Sequence, residues 1–357
     1  MKRKSAILIA VLAIACFLLS VGVVGAGAAP KSVMESSKPV VWKLAHAAYE
    51  GEITYMWAER IVEGIEKAFE GKVKVEHFPA GQLGSYTAMA ELLQNGALEF
   101  NIPATAAPLG QIVPEAKFLS INFMLNEHYQ VNDKALNEGK AFELIEKKLL
   151  AQNIKVIRWF LEDFSCWSSN YPIQKLEDLK GLKIRVYPSS QIVANYRVLE
   201  ANPTEVPYAE VYSALQLKVA DAQENPVSTI YSNKYYEVQK YVILSNHTGV
   251  INGFSANKGF WENLAREDQE KIEKVVEEAT QYTFTKMDEM VEYAKQQILA
   301  SGNTQILELD PIERARIVEA SIPAREEFLK DSGEHGQEVI DLWLEDVKKF
   351  EAELIGQ

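Results

Sequence analysis

A single arginine stands inside a short apolar run near the middle of the chain. Residues 183–186 read Lys-Ile-Arg-Val, and the β-branched neighbours of Arg185 are typical of a buried strand. A buried guanidinium without an anionic partner costs several kcal/mol. Arg185 is therefore either half of a structural ion pair with a nearby Asp or Glu, or the anchor for a bound anion. Tyr187 and Ser189 flank the end of the strand, where they can reach the same anion.

An aromatic cluster lies shortly before Arg185. Five aromatic residues fall within 13 positions: Trp159, Phe160, Phe164, Trp167 and Tyr171. One interpretation is a hydrophobic seam between two domains. The other places Phe164 or Trp167 in the wall of a ligand pocket, because small-molecule sites combine aromatic walls with a few polar anchors.

Strand and helix patterns alternate in the manner of an α/β protein, and they indicate where such a pocket lies. The patterns predict strands at 40–46, 72–78, 98–102 and 154–160, and helices at 54–69 and from Ser85 to 96. In open α/β sheets, ligands bind beyond the carboxyl ends of the strands. The loops 46–51 and 103–107 are thus predicted cleft walls, and His46 and Thr105 are candidate contacts. A structural, hydrogen-bonded role fits His46 equally well.

The second half of the chain predicts a discontinuous, two-lobed organisation. Strands at 242–244 and 250–257 return to the first domain, and a helix over 267–301 would reach roughly 50 Å. We therefore expect two lobes joined by several hinge strands. Lobe I comprises 38–162 plus 251–290, and lobe II comprises 163–250 plus 291–357.

The N-terminus has the pattern of a secretory signal peptide. Cationic residues 2–4 precede an apolar run over 7–24 and a small-residue cleavage site that ends at Ala28. We predict a signal peptide over 1–28, cleavage after Ala28 and a periplasmic protein. Two alternatives remain open. The apolar run is long enough for a retained membrane anchor, and Cys16 is a candidate lipidated cysteine, although residues 13–15 match a lipobox poorly.

Composition and charge narrow the class of partner. The chain has 357 residues, 47% of them hydrophobic, and a formal net charge of −13. The predicted signal segment carries three cations and no acids, so its removal makes the charge −16. Such an acidic surface argues against nucleic acid or anionic lipid as a partner. Removal of the signal segment would leave Cys166 as the one cysteine of the mature chain, so an intramolecular disulfide is excluded.

The sequence lacks the common signatures of catalysis and metal binding. It contains no GxSxG, HExxH or GxxxxGK[ST] motif and no cysteine cluster, and its five histidines are scattered. We therefore predict that the protein is not an enzyme and needs no cofactor or metal. A secreted hydrolase or lyase, with carboxylates brought together by the fold, is the remaining alternative.

Four segments in order resemble one family. They are residues 178–186, 209–216, 223–226 and 236–241. Together they resemble the solute-binding proteins of tripartite ATP-independent periplasmic (TRAP) transporters, of the dicarboxylate and sialic-acid type. The likeness extends from about residue 40 to the C-terminal helices. It implies an α/β, two-lobed periplasmic binding protein (type II-like) with hinge strands, and it implies that the 267–301 helix spans both lobes.

The resemblance also implies roles for particular residues. Arg185 would clamp the carboxylate of an organic acid as a bidentate, charge-assisted pair. Asn225 occupies the family's position for a ligand-binding asparagine before proline, although Asn-Pro is also a common turn opener. Tyr208 falls where the family has an aromatic pocket wall. The protein would deliver the acid to TRAP membrane subunits that use an ion gradient. A membrane-tethered sensor on the same scaffold is the alternative.

One position departs from the family. Many members have a second arginine about 20 residues before the strand arginine, but this chain has Ser165 there. A pocket with one arginine and added aromatic residues suits a monocarboxylate with an apolar or aromatic body better than a dicarboxylate. We expect Ser165, Phe164 and Trp167 to contribute to that specificity.

Overall fold

The structure, a computed structural model, describes residues 30–103 and 108–356. The predicted signal peptide and Thr105 lie outside these residues. In the described part of the chain the strands are β1 (Val40–His46), β2 (Val73–Phe78), β3 (Phe100–Ile102), β4 (Ile154–Ser169), β5 (Lys183–Val186), β6 (Asn202–Glu205), β7 (Ala222–Pro226), β8 (Tyr241–Asn257) and β9 (Gln305–Glu308). They form a mixed sheet in the order β2-β1-β3-β8-β4-β7-β5-β6, with β9 also paired to β8.

Helices cover the sheet. Among the described residues, the α-helices of five residues or more are α1 (Ile53–Ala68), α2 (Tyr86–Gln94), α3 (Tyr129–Glu138), α4 (Lys140–Ala151), α5 (Ser190–Arg197), α6 (Val211–Gln216), α7 (Val227–Ser232), α8 (Lys258–Glu262), α9 (Arg266–Ala300), α10 (Pro311–Ser321), α11 (Arg325–Ser332) and α12 (Gly336–Leu354). A 3-10 helix covers Pro114–Ser120. Ser85 caps α2 by accepting a hydrogen bond from the Ala88 amide at 3.2 Å, as its sequence position predicts.

The antiparallel pair β4–β8 joins two smaller sheets. The first half of β4 and the second half of β8 lie with β1, β2 and β3, whereas the other halves lie with β5, β6, β7 and β9. The pairing register shifts between Leu161 and Asp163 and again between Ser165 and Trp167. The two strands predicted at 242–244 and 250–257 are thus one continuous strand, and β4 is longer than predicted.

The long helix α9 forms as predicted and packs against α1. Its buried stripe includes Ile272, Val276 and Met287, which share a hydrophobic core with Trp57 and Ile61 of α1. Periodic apolar residues along 35 positions explain this burial, because they keep one face of the helix turned towards the core.

The packing of the last helix, α12, is relevant to the predicted lobe boundaries. Val339, Trp343 and Phe350 of α12 share a core with Val131 of α3 and Phe142 of α4. The division into lobes stays a prediction, but these contacts favour placing residues 336–354 with lobe I instead of lobe II. No helix in the described ranges is long and apolar enough to cross a membrane.

A buried hydrogen bond between α1 and α9 gives a testable prediction. Trp57 Nε1 donates to Thr280 Oγ1 at 3.0 Å, and both side chains are fully buried. Thr280→Val keeps the shape but leaves the indole N–H unpaired, which should lower the free energy of unfolding by about 1–3 kcal/mol. Urea denaturation measures the loss.

Thr285→Val is the matched control, because Thr285 is exposed on the same helix and bonds only to the Tyr282 carbonyl. Equal losses in the two variants would contradict a specific role for the Trp57–Thr280 bond.

Candidate functional site

A cavity of about 120 Å³ lies where the two smaller sheets meet. Its walls come from segments that follow β1, β5 and β6, from the end of β7, and from the middle of β4 and β8. It therefore lies at the carboxyl ends of parallel strands, as expected for an open α/β sheet. Among the predicted site residues, those that line it are Arg185, Asn225, Tyr208, Tyr187 and Ser165.

Arg185 is held in a fixed orientation at the cavity wall. It lies on β5, is 2% exposed, and donates from Nε and Nη2 to the Val206 carbonyl at 2.9 and 2.7 Å. Within the described residues it has no carboxylate in ion-pair contact, which argues against the alternative of a structural ion pair. The carbonyl occupies one edge of the guanidinium, and the Nη1–Nη2 edge keeps two parallel N–H donors. That edge matches the geometry of a carboxylate.

Burying the positive charge of Arg185 costs free energy unless an anion compensates it. Desolvation lowers the pKa of Arg185, while the nearby Tyr235 and Glu224 raise it. A neutral carbonyl does not compensate a full positive charge. An anion in the cavity would supply that compensation.

Asn225 lies beside Arg185 in the sheet. Its Nδ2 donates to Gln223 Oε1 at 2.5 Å, and Gln223 pairs with Arg185 between β7 and β5. Asn225 has a second Nδ2 hydrogen to donate. This residue therefore lines the cavity from a strand end, and Pro226 begins the step into α7. Asn225 and Pro226 are the last two residues of β7, so this Asn-Pro pair lies in a strand that leads directly into α7 and does not form the turn. The role of Asn225 as a ligand contact stays a prediction.

Tyrosine rings form the aromatic part of the wall. The Tyr86 ring lies 5.9 Å from that of Tyr187 and 6.2 Å from that of Tyr208. Tyr208 Oη also donates to Glu52 Oε1 at 2.7 Å. The tyrosines therefore provide the aromatic surface that the sequence analysis assigned to Phe164 and Trp167.

Two buried carboxyl groups line the cavity and were not predicted. Glu52, just before α1, accepts hydrogen bonds from Tyr208 and from Asn233 Nδ2 at 2.8 Å. Glu162, on β4, accepts from Thr54 Oγ1 at 2.6 Å and Asn252 Nδ2 at 3.2 Å. Their relative exposures are 4% and 3%.

Burial also sets the protonation of these two groups. Desolvation raises the pKa of Glu52 to about 7, although the hydrogen bonds from Tyr208 and Asn233 lower it. Desolvation and repulsion by Glu52 raise the pKa of Glu162 to about 8. The two carboxyl groups therefore titrate together close to neutral pH.

Four predicted site residues lie away from the cavity. Trp167 is fully buried, donates to Tyr196 Oη at 2.9 Å and stacks on His247 at 4.9 Å. Phe164 packs edge-on against Tyr129 at 5.0 Å. Phe164 belongs to the hydrophobic core that includes Trp343, and Trp167 belongs to a different core that includes Ile184.

His46 and Ser189 are likewise buried outside the cavity lining. His46 Nε2 lies 2.7 Å from His77 Nε2, and desolvation together with His77 lowers the pKa of His46 to about 3. A neutral imidazole paired with a second imidazole fits the structural role that the sequence left open. Ser189 precedes α5, where its side chain makes no capping bond.

Comparison with known proteins identifies the family. The sequence profile of the bacterial extracellular solute-binding proteins, family 7, matches residues 44–331. This chain belongs to family 7. The predicted family and the predicted two-lobed α/β fold are thereby confirmed.

Two sequence relatives cover most of this family 7 protein. It is 27% identical to the ectoine-binding periplasmic protein of Halomonas elongata over 317 residues, which is 88% of this chain and 92% of the relative. It is 31% identical to the C4-dicarboxylate-binding periplasmic protein of Rhodobacter capsulatus over 304 residues, which is 85% of this chain and 90% of the relative.

Solved structures agree with this membership. A TRAP periplasmic solute-binding protein from Desulfovibrio salexigens with bound orotic acid superposes with a TM-score of 0.82, at 27% identity, over 87% of this chain and 99% of that one. A sugar-acid-binding protein from Advenella mimigardefordensis in complex with galactonate has a TM-score of 0.81, also at 27% identity, over 88% and 99% of the two chains.

The paired carboxyl groups predict a pH dependence of stability. The ordinary pKa of glutamate is 4.5, so between about pH 4.5 and 8 the folded chain keeps protons that the unfolded chain has lost. The folded state then binds more protons, and the contribution of these groups to the free energy of unfolding falls as pH rises. Below pH 4.5 that contribution is fully present.

Urea unfolding of ligand-free protein near pH 5 and near pH 9 tests this. The double variant Glu52→Gln/Glu162→Gln should lose less stability across the interval than wild type does. The exposed Glu91→Gln should behave as wild type. Identical pH dependence in wild type and the double variant would contradict the assignment.

Proposed function

We propose that this family 7 protein captures an organic acid anion through Arg185 and delivers it to the membrane subunits of a TRAP transporter. The observation that carries the proposal is the guanidinium edge of Arg185, which lines the cavity without a carboxylate partner among the described residues. Solved relatives of the same fold bind carboxylates, including orotate, galactonate and succinate. Binding without catalysis is the corresponding proposal for this chain.

Hydrogen-bond donors beside Arg185 support the same function. Asn225 provides an amide, and Tyr187 lies with its ring centre 6.0 Å from the Arg185 guanidinium carbon. Ser165 lines the cavity from β4, opposite Thr248 of β8. A carboxylate bound here would exchange water for charge-assisted hydrogen bonds in a region of low dielectric constant, where such bonds are strong.

We further propose that the two lobes close around the ligand and that the closed form is recognised by the transporter. Glu52 precedes α1, whereas its donors Tyr208 and Asn233 follow β6 and α7. These contacts bridge the cleft. The long strands β4 and β8 are the natural hinge, because they are shared by both smaller sheets.

The export of the protein is proposed to follow cleavage after Ala28. The cationic head, the apolar run and the small residues before this position support it, as does the extracellular setting of the family. N-terminal sequencing of the exported protein should begin at Ala29, and a start at Met1 would favour the membrane-anchored alternative.

Arg185→Gln tests the central role of the guanidinium. Removing one partner of a buried, hydrogen-bonded charge pair costs roughly 2–5 kcal/mol, so we expect the Kd for a carboxylate to rise by about 30-fold to several thousand-fold. Isothermal titration of ligand-stripped protein would compare orotate, galactonate, succinate, and branched and aromatic monocarboxylates.

The matched control is Arg197→Gln, an exposed arginine on α5, which should bind as wild type does. Thermal melting without ligand shows whether each variant is folded. Unchanged affinity in a folded Arg185→Gln would refute the proposed function.

A further inference from the structure

Among the described residues that line the cavity, acidic side chains outnumber basic ones. Apart from Arg185, the described lining residues include no lysine, arginine or histidine, but they include Glu52, Glu162 and Glu224. A ligand with only negative charge would satisfy Arg185 but would meet three carboxyl groups.

Two of these carboxyl groups have good hydrogen-bond donors. Glu224 Oε2 accepts from Tyr196 Oη at 2.5 Å and lies 3.0 Å from His247 Nε2. Glu52 Oε1 accepts from Tyr208 and Asn233. Each of these two carboxyl groups is thus held through one of its oxygens.

Glu162 is different because one of its oxygens is both fully buried and without a hydrogen-bond partner among the described residues. Oε2 is bonded to Thr54 and Asn252, whereas the buried Oε1 has no hydrogen bond within the described residues. The side chain is 3% exposed and lines the cavity. A buried polar atom without a partner costs free energy, so native proteins seldom leave one unless it has a function.

The surroundings of Glu162 suit an organic cation. Tyr86 lines the cavity close enough to both acids that the charges of Glu52 and Glu162 raise its pKa. Aromatic faces attract ligand cations, most strongly where water is excluded. In the ligand-free protein a proton neutralises Glu162, since the pKa of this group is raised to about 8. A positively charged group of the ligand would take the place of that proton.

We propose that the physiological ligand is a small zwitterion, whose carboxylate binds Arg185 and whose positively charged nitrogen group lies at Oε1 of Glu162. This inference rests on the proposed function, because it assigns the second pole of the same site. It also refines the predicted monocarboxylate, since the body of that ligand is now cationic instead of simply apolar.

A metal ion is the other cation that could meet Glu162. Hard metal ions prefer six or more oxygen ligands, and Glu162 offers a single unpartnered oxygen. No group of three or more His, Cys, Asp or Glu among the described residues could hold a metal ion. The geometry therefore favours an organic cation carried by the ligand, and the experiment below separates the two sources.

Isosteric pairs of ligands test the proposal directly. Glycine betaine and 3,3-dimethylbutanoate have the same shape and differ by the charge on one central atom. L-Proline with cyclopentanecarboxylate, and 4-aminobutanoate with pentanoate, form two further pairs. Isothermal titration of the ligand-stripped mature chain should find a zwitterion that binds about tenfold or more tightly than its isostere.

Glu162→Gln should remove this discrimination. The ratio of the two Kd values should fall by about tenfold or more, while the Kd of the isostere that lacks the positive charge stays within about threefold of wild type. The variant should fold, because glutamine resembles the protonated glutamate of the ligand-free state. Glu91→Gln, on an exposed face of α2, should keep the wild-type ratio.

The possible failures are distinguishable. Isosteres that bind as tightly as zwitterions would overturn the inference and leave the proposed function intact. Isosteres that bind tightly only with added sodium or calcium chloride, and lose affinity in EDTA, would show that the cation is a metal and would also overturn it. No binding by any pair or by any other carboxylate would refute the proposed function itself.

Discussion

The guanidinium of Arg185 is fixed by two hydrogen bonds to the Val206 carbonyl, and the architecture of the site depends on this contact. The carbonyl belongs to the segment after β6, the strand that pairs with β5, so the sheet itself orients the charge. With one edge occupied, the Nη1–Nη2 edge is left to donate, and Arg185 lines the cavity. An arginine held in this way loses little conformational entropy on binding, which favours affinity and a defined ligand orientation.

The opposing constraint is the cost of burying acids in the same cavity. Glu52 lies just before α1 and Glu162 lies on β4, whereas Arg185 lies on β5. Burial raises the pKa of both carboxyl groups, and no cation is among the groups that oppose this shift. A cavity with a buried cation at one pole and buried acids at the other selects ligands by charge distribution as well as by shape.

The sequence predicted several of the residues that line the cavity together with Arg185. Arg185 stands out because a charge interrupts a β-branched strand, and Asn225, Tyr208 and Tyr187 follow from motif positions that contain proline or aromatic residues. Each of these lines the cavity. Strands β1 and β2 and the long helix α9 were equally accessible, since apolar periodicity along the chain is enough to identify them.

The two buried glutamates of the cavity, Glu52 and Glu162, were not predicted, for two reasons. Glu162 stands between Leu161 and Asp163 in an apolar strand, so the argument applied to Arg185 would have found it had it been applied to acids. Glu52 lies in a loop, where a glutamate is ordinary, and tertiary contacts alone bury it. Phe164 and Trp167 were wrongly expected at the pocket, because sequence shows that aromatic residues cluster but not which face of a bulged strand each occupies.

A crystal structure of the mature protein with its tightest-binding carboxylate tests the central claim most directly. We predict that both carboxylate oxygens lie within hydrogen-bond distance of Nη1 and Nη2 of Arg185, with the Val206 contact retained. A ligand whose carboxylate lies elsewhere in the cavity, with this guanidinium edge unused, would contradict it.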